Sequence, residues 1–360
     1  MERIEAKILY EVADSKKNIW ELLDRSNCSL KDFIDALKTL YKNGIIDYDG
    51  NYFYLTEKGK SSINLKSLDF KVEVCPSCLG RRIIPQMKFK EVLDEFKQIT
   101  RKRPRPTLKF FQGYMVEQDV ITRVALMHHH GDLDGKSIVL IGDDDLLSIA
   151  LSLTALPSRI TVLEIDKRIG EFLKSINKDY GFNIEFIEYD VSNPLPKDLQ
   201  ESFDTFSSEP LETLSGLRAF IVRGVSCLKE GGAGYFGLTR YEASLRKWLA
   251  IQRLLVRMNC AITDIIEGFS AYPMNYGDLS YERFVYNLGF KVEKNHSVNW
   301  YKSALYRFEV LSKARILEGF NKRLRIRYID SREDLTHPAL YRRILEESIG
   351  KDRNIPNEGS

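Results

Sequence analysis

Between residues 136 and 258, short apolar runs of strand type take turns with amphipathic helical stretches, and this alternation limits the fold more than any other feature of the chain. Strands are predicted at 136–141, 159–165, 183–189, 203–207 and 233–238. Helices are predicted at 118–128, 146–156, 167–179, 211–228 and 243–258. Such alternation specifies a parallel sheet covered on both faces. Residues 111–325 are therefore expected to form one α/β domain, a Rossmann-like doubly wound sheet.

Ligands of doubly wound folds sit outside the carboxyl ends of the strands, so the residues after each apolar run are where chemistry is sought. Four successive runs end in carboxylates. Residues 137–141 are followed by Gly142-Asp143-Asp144-Asp145, 161–163 by Glu164-Ile165-Asp166, 186–189 by Asp190, and 203–206 by Ser207-Ser208-Glu209-Pro210. A loop that cradles phosphate needs glycines and open amides, whereas three adjacent carboxylates repel phosphate. NAD and ATP are poor ligands for such a turn; a metal, a sulfonium or a polyamine suits it better. An acid ending the second strand can take both ribose hydroxyls, and one after the third can accept the adenine amino proton. Glu164 and Asp190 hold those places. Gly142, Asp143, Glu164, Asp166 and Asp190 are the candidate substrate-binding residues, and Asp144, Asp145 and Glu209 the candidate catalytic ones. Plainer readings stand beside these: Asp143 partly solvated, Asp190 capping its own turn, and Glu209 starting a helix near its positive end.

Upstream, helical segments at 4–13, 17–24 and 30–42 precede two strand-type runs, 45–48 and 52–55, separated by the hairpin signal Asp49-Gly50-Asn51. Ser29 is placed to cap the third helix. Three helices and a hairpin predict a winged helix-turn-helix over 1–70. Residues 71–110 read as a connector holding Cys75-Pro76-Ser77-Cys78 and the basic stretch Arg101-Lys102-Arg103-Pro104-Arg105-Pro106. Residues 326–360 read as a charged, flexible tail with a short helix at 338–348.

Composition closes off several classes. With 43% hydrophobic and 29% charged residues the chain is of globular type. No stretch nears the roughly 18 consecutive apolar residues of a membrane span, and the start lacks a signal-peptide run. A cytoplasmic protein that does not engage membranes is expected. Five cysteines, with one close pair, do not make a secreted disulfide framework, so reduced thiols are expected. A net charge of +3 decides nothing about nucleic acid. Abundant Lys and Glu with 5 His and 6 Met suit a heat-adapted protein.

The run Arg123-Val124-Ala125-Leu126-Met127, the Gly131-Asp132-Leu133 turn, Gly142-Asp143-Asp144-Asp145-Leu146 and Ala233-Gly234-Tyr235-Phe236-Gly237-Leu238-Thr239-Arg240 together resemble the branched-chain polyamine synthases of heat-loving microbes. The resemblance extends over nearly the whole chain. It implies aminopropyl transfer from decarboxylated S-adenosylmethionine, a donor substrate rather than a tightly bound cofactor, to the internal secondary amine of spermidine. It also implies release of methylthioadenosine and a second transfer to the same nitrogen. The wider aminopropyltransferase family carries a Gly-Gly-Gly-Asp-Gly turn here, so Gly142 matches its first glycine and Asp145 its donor-anchoring aspartate, while Asp143 and Asp144 replace glycines. By the same register Glu164 matches the ribose-binding acid, Asp190 the adenine-binding acid and Glu209 the catalytic acid. The chain is expected to be a homodimer.

A protonated amine cannot attack carbon, so the site needs a base; Asp144 or Asp145 is the expected acceptor, with Glu209 as helper. Other motifs rank lower. Cys75 and Cys78 could be half of a zinc site, but a second pair is missing unless a dimer supplies it. The run His128-His129-His130 cannot turn all three rings to one ligand, and Gly231-Gly232-Ala233-Gly234 reads as a turn. Two competing functions remain: a DNA-binding winged-helix regulator whose Rossmann-like domain senses a small molecule, against which Asp32 and Asp35 in the third helix count, and an S-adenosylmethionine-dependent methyltransferase acting on DNA, against which the lone Pro210 after Glu209 counts. Nucleic acid is accordingly not an expected partner.

Overall fold

The computed structural model describes residues 2–64, 68, 74–277, 279–312, 321–330 and 332–337. The helix expected at 338–348, and most of the expected tail, lie outside the described residues. The chain divides into two compact units, one of Met1–Phe70, Met274–Val298 and Ile329–Ser360, the other of Lys71–Pro273 and Asn299–Tyr328.

In the first unit the expected helices and hairpin are α1 (Arg3–Asp14), α2 (Ile19–Ser26), α3 (Leu30–Lys42), β1 (Ile46–Tyr48) and β2 (Phe53–Leu55), followed by a short α4 (Glu57–Ser61). Their starts are capped. Asn18 accepts from the Glu21 N–H at 2.9 Å while the Glu21 carboxylate accepts from the Asn18 N–H at 2.7 Å, and Ser29 accepts from the Asp32 N–H at 3.2 Å. Leu9, Leu23, Leu30, Phe33 and Phe53 are fully buried. The stretch 274–298, which falls inside the range expected for the sheet domain, belongs to this unit: Phe290 stands edge-on to Tyr41 and to Phe53, both at 5.1 Å, and Trp20 donates to the Glu293 carbonyl at 3.0 Å.

The second unit begins with α5 (Lys88–Thr100), inside the stretch read as a connector, which buries Val92, Leu93, Phe96 and Ile99. After α6 (Glu117–His129) come β3 (Ser137–Ile141), α7 (Leu147–Thr154), β4 (Arg159–Glu164), α8 (Lys167–Tyr180), β5 (Ile184–Glu188), β6 (Phe203–Ser208), α9 (Leu214–Cys227), β7 (Leu228–Thr239) and α10 (Leu245–Arg257). Next are β8 (Cys260–Tyr272) and, after the short β9 (Asn275–Tyr276) and β10 (Leu279–Ser280) of the first unit, β11 (Tyr301–Val310). The sheet has seven strands in the order β5-β4-β3-β6-β7-β11-β8.

Its first five strands run parallel, and the apolar runs explain why: Ile138–Ile141 and Ile160–Leu163 are buried without a break, as strands covered on both faces must be. The expectation of an all-parallel sheet is corrected at one edge. β11 pairs antiparallel with both β7 and β8. Parallel neighbours need a crossover that returns the chain to the same end of the sheet, and among the described residues no α-helix lies between β8 and β11. Neither strand shows an unbroken apolar run, which is why the sequence did not announce them. Between α9, α10 and the sheet lies a core of Val139, Phe206, Ile221, Phe236, Trp248 and Tyr306, among others. Among the described residues no helix is long and apolar enough to cross a membrane.

Candidate active site

The turn after β3 is set by backbone before any side chain matters. Gly142 has φ of +80°, a conformation that suits only glycine well, and Leu146 enters α7 at φ of +59°. Between them the chain folds back sharply enough to bury acids. Asp143 and Asp145 are 2% and 4% exposed, and Asp144 is partly buried. Asp143, expected to be partly solvated, is instead tied to the first turn of α7, where it accepts from the Ser148 N–H at 3.1 Å and from the Ser148 hydroxyl. Asp143 thus supplies the cap that Leu146, the N-cap residue of α7, cannot, and these bonds offset part of the cost of its burial.

Each neighbouring carboxylate meets a different set of donors. Asp144 accepts from the Gly113 N–H at 3.2 Å, while its carbonyl accepts from the Arg103 guanidinium, which lies 3.8 Å from the centre of the Tyr114 ring. Asp145 accepts from the Met115 N–H. Glu164, ending β4, accepts from the Asp143 N–H at 3.0 Å and the Asp166 N–H at 2.8 Å. Asp166 caps α8 and is gripped by Arg168 at 2.6 Å and Gln112 at 2.9 Å. Asp190 accepts from the Ser192 N–H at 2.8 Å in its own turn, the local cap that was its plainer reading.

Glu209, just past β6, is the most constrained. One oxygen accepts from Arg123 and the other from the Tyr272 hydroxyl. Arg123 reaches it from α6 with 1% of its side chain exposed, against 17% for Glu209. Tyr272, ending β8, lies 3.0 Å from Ser303 on β11. Gly237 of β7 leaves the space for the carboxylate, since a Cβ there would stand 2.0 Å from Glu209 Oε2. Beyond it Glu212, which the sequence did not single out, accepts from the Thr239 N–H and hydroxyl.

Burial and crowding push these acids up. Burial carries Asp143 to about 8, with Glu164 and Asp145 adding to it against the Ser148 bonds. Asp145 rises to about 7, through burial and the charge of Glu209, held back by the Met115 amide, Arg123 and Arg103. Burial followed by Asp145 and Glu164 raises Asp144 well above the usual range. Glu164 also rises through burial. Asp166 moves the other way: burial would raise it, but Arg168 and Gln112 outweigh that. Burial likewise opposes the charge on Arg123, yet Glu209, Tyr272 and Asp145 outweigh it and hold the guanidinium protonated.

The strand-end acids Asp143, Asp144, Asp145, Glu164 and Glu209 thus lie close enough to act on one another, Asp143, Asp145 and Glu164 buried and Asp144 and Glu209 partly so, with Asp166 fastened to their edge. Arg103, Arg123 and Tyr272 were not foreseen. The visible signal for Arg123 was a charge in the apolar run Val120–Met127, and a fully buried arginine must have a partner. Tyr272 gave none, because its strand was not legible.

Fold and site together define a class: a Rossmann-like α/β enzyme whose strand-end crevice is built of carboxylates, suited to cationic ligands rather than phosphates. The chain belongs to the branched-chain polyamine synthase family: the family model described as "Branched-chain polyamine synthase A C-terminal domain" matches residues 91–333. It is 40% identical over 298 residues to the N(4)-bis(aminopropyl)spermidine synthase of Thermococcus kodakarensis, covering 82% of this chain and 84% of the relative. Its identity to the protein of the same name from Methanocaldococcus jannaschii is 39% over 305 residues, covering 84% and 86%. Among solved structures it is similar to the branched-chain polyamine synthase from Thermus thermophilus in complex with N4-aminopropylspermidine and 5'-methylthioadenosine, with a TM-score of 0.77, 32% identity, and coverage of 92% of this chain and 93% of that one.

Proposed function

We propose that this chain transfers aminopropyl groups from decarboxylated S-adenosylmethionine to the internal amine of spermidine, giving N4-aminopropylspermidine and then N4-bis(aminopropyl)spermidine. The observation that carries the reading is the buried group of carboxylates around Asp145 in a chain of this family. The relative that binds N4-aminopropylspermidine and 5'-methylthioadenosine supports both halves of the reaction.

The nitrogen lone pair attacks the carbon next to the sulfonium; the C–N bond forms as the C–S bond breaks, and methylthioadenosine leaves with the electron pair. Asp145 takes the amine proton. Its rise to about 7 puts it near the value at which a base both holds and passes on a proton at neutral pH. Asp144 is the alternative acceptor. Glu209 acts otherwise than as a base: with Arg123 and Tyr272 donating to its two oxygens, it is a fixed partner for the positive charge on the acceptor. Glu164, anchored by two amides, keeps lone pairs for ribose hydroxyls, while Gly142 and Asp143 shape the turn beneath the donor. Asp166 positions Glu164 through its N–H, and Asp190 is assigned to the adenine amino group. After the second transfer the nitrogen carries a charge no proton loss can relieve, and the surrounding acids stabilise it.

In this reading the three helices and hairpin of the first unit are a winged helix with a structural use, since Asp32 and Asp35 make α3 a poor reader of DNA. The test is mass spectrometry of products from the full chain with decarboxylated S-adenosylmethionine and spermidine, with S-adenosylmethionine as control donor. One or two added aminopropyl groups with methylthioadenosine release are expected; methyl transfer from the control donor alone would overturn the assignment.

A further inference from the structure

The Cys75-Pro76-Ser77-Cys78 segment takes no part in the acid group, yet its shape is closely fixed. The Leu79 N–H donates to the Cys75 carbonyl at 2.8 Å and the Arg81 N–H to the Cys78 carbonyl at 2.9 Å. Leu79, Gly80 and Arg82 have φ of 51°, 81° and 70°, and for two of these residues the left-handed region is costly. Arg81 and Arg82 then pin the turn to the sheet unit. Arg81 lies 2.8 Å from the buried Asp119 and donates to the Phe269 carbonyl at 2.8 Å, and Arg82 pairs with Asp264.

This turn brings two sulfurs together with the dipoles a thiolate needs. The backbone N–H groups of Ser77 and Cys78 and the Cys78 side chain lie beside the Cys75 sulfur. Cys75 is exposed and Cys78 partly so. Converging N–H groups spread the charge of a metal-bound sulfur. A redox dithiol commonly draws its reactivity from a helix N-terminus at the pair, but the next helix here starts at Lys88.

A structural thiophilic ion such as Zn²⁺ takes four ligands. Cys28, Cys227 and Cys260 are buried elsewhere, and among the described residues no group of three or more His, Cys, Asp or Glu is placed to hold a metal. The residues outside the description contain neither Cys nor His. The missing soft ligands must come from another chain, and a second copy carries an identical pair already shaped for the purpose. We propose that Cys75 and Cys78 form half of a tetrahedral four-thiolate Zn²⁺ site, completed across a two-fold axis by the same cysteines of a second copy.

The test is anaerobic titration of the reduced full chain with Co²⁺, whose tetrahedral absorption bands and thiolate charge-transfer intensity count the sulfurs, with light scattering for mass. One ion per two chains, bound by four thiolates, is expected, with loss of the bands in Cys75→Ser and in Cys78→Ser. Those variants should keep native circular dichroism and aminopropyl transfer, since neither cysteine touches the acid group. One ion per chain in a monomer, no uptake, or a Cys75–Cys78 disulfide that forms reversibly in place of metal binding would each overturn the proposal.

Discussion

The parallel part of the sheet and its antiparallel edge contribute differently to the same site. β3, β4 and β6 deliver carboxylates at their ends, whereas β8, together with helix α6, delivers what restrains them: Tyr272 and Arg123. The acids lie one or a few residues beyond an apolar run, so each is fixed by local geometry. The restraints are fixed by packing across 63 and 86 residues of chain. Charge can be placed in this fold by strand position alone; its control depends on elements far away in sequence.

The largest effect is expected on the parallel side. Asp145→Asn should lower kcat by about 10²–10⁴ while the circular dichroism stays native, the range a lost base commonly costs. Turnover close to wild type would remove the base from this side of the comparison. On the other side, Arg123→Met leaves Glu209 without its cation, and breaking such a buried pair costs about 3–5 kcal/mol. Urea denaturation should show that loss, with Arg123→Lys recovering part of it; a silent Arg123→Met would break the contrast between charge and restraint.

Tyr272→Phe should act more gently, since it removes one hydrogen bond to a charged group, worth about 1.5–3 kcal/mol. We expect kcat/KM to fall by roughly tenfold to a hundredfold with donor affinity unchanged. A pH effect separates the acids themselves. Asp143, at about 8 against 3.8 unfolded, stays protonated in the folded chain where the unfolded chain has lost its proton. The folded state then binds more protons, so stability is fully present below about pH 4, falls as pH rises toward about 8, and levels off above. Denaturation midpoints of Asp143→Asn should show a flatter profile; an unchanged slope would mean that another acid sets it.

What was legible follows the same division. Residues 159–165 were read as a strand and β4 is Arg159–Glu164, because an unbroken buried run resists any other pattern. The place of Gly142 and Asp145, just past the end of β3, was legible for the same reason. β8 was not, since only its far end, Phe269–Tyr272, is continuously buried and the rest alternates with Thr263, Asp264 and Glu267. α5 was hidden by the proline-bearing basic stretch that follows it. Solvation of Asp143 was misjudged because burial of an acid depends on a donor, Ser148, whose orientation only the turn decides.

Phe290 stands edge-on to Tyr41, Tyr48 and Phe53 although some two hundred residues of the second unit separate it from them in sequence. On the ribosome, at roughly 5–20 residues per second, the helices made first wait on the order of tens of seconds for that ring. During this interval their apolar face has no native cover. A nascent chain stalled before residue 274 should therefore carry an incomplete first unit that a chaperone can hold, and the stretch around Phe290 covers what the first helices left open.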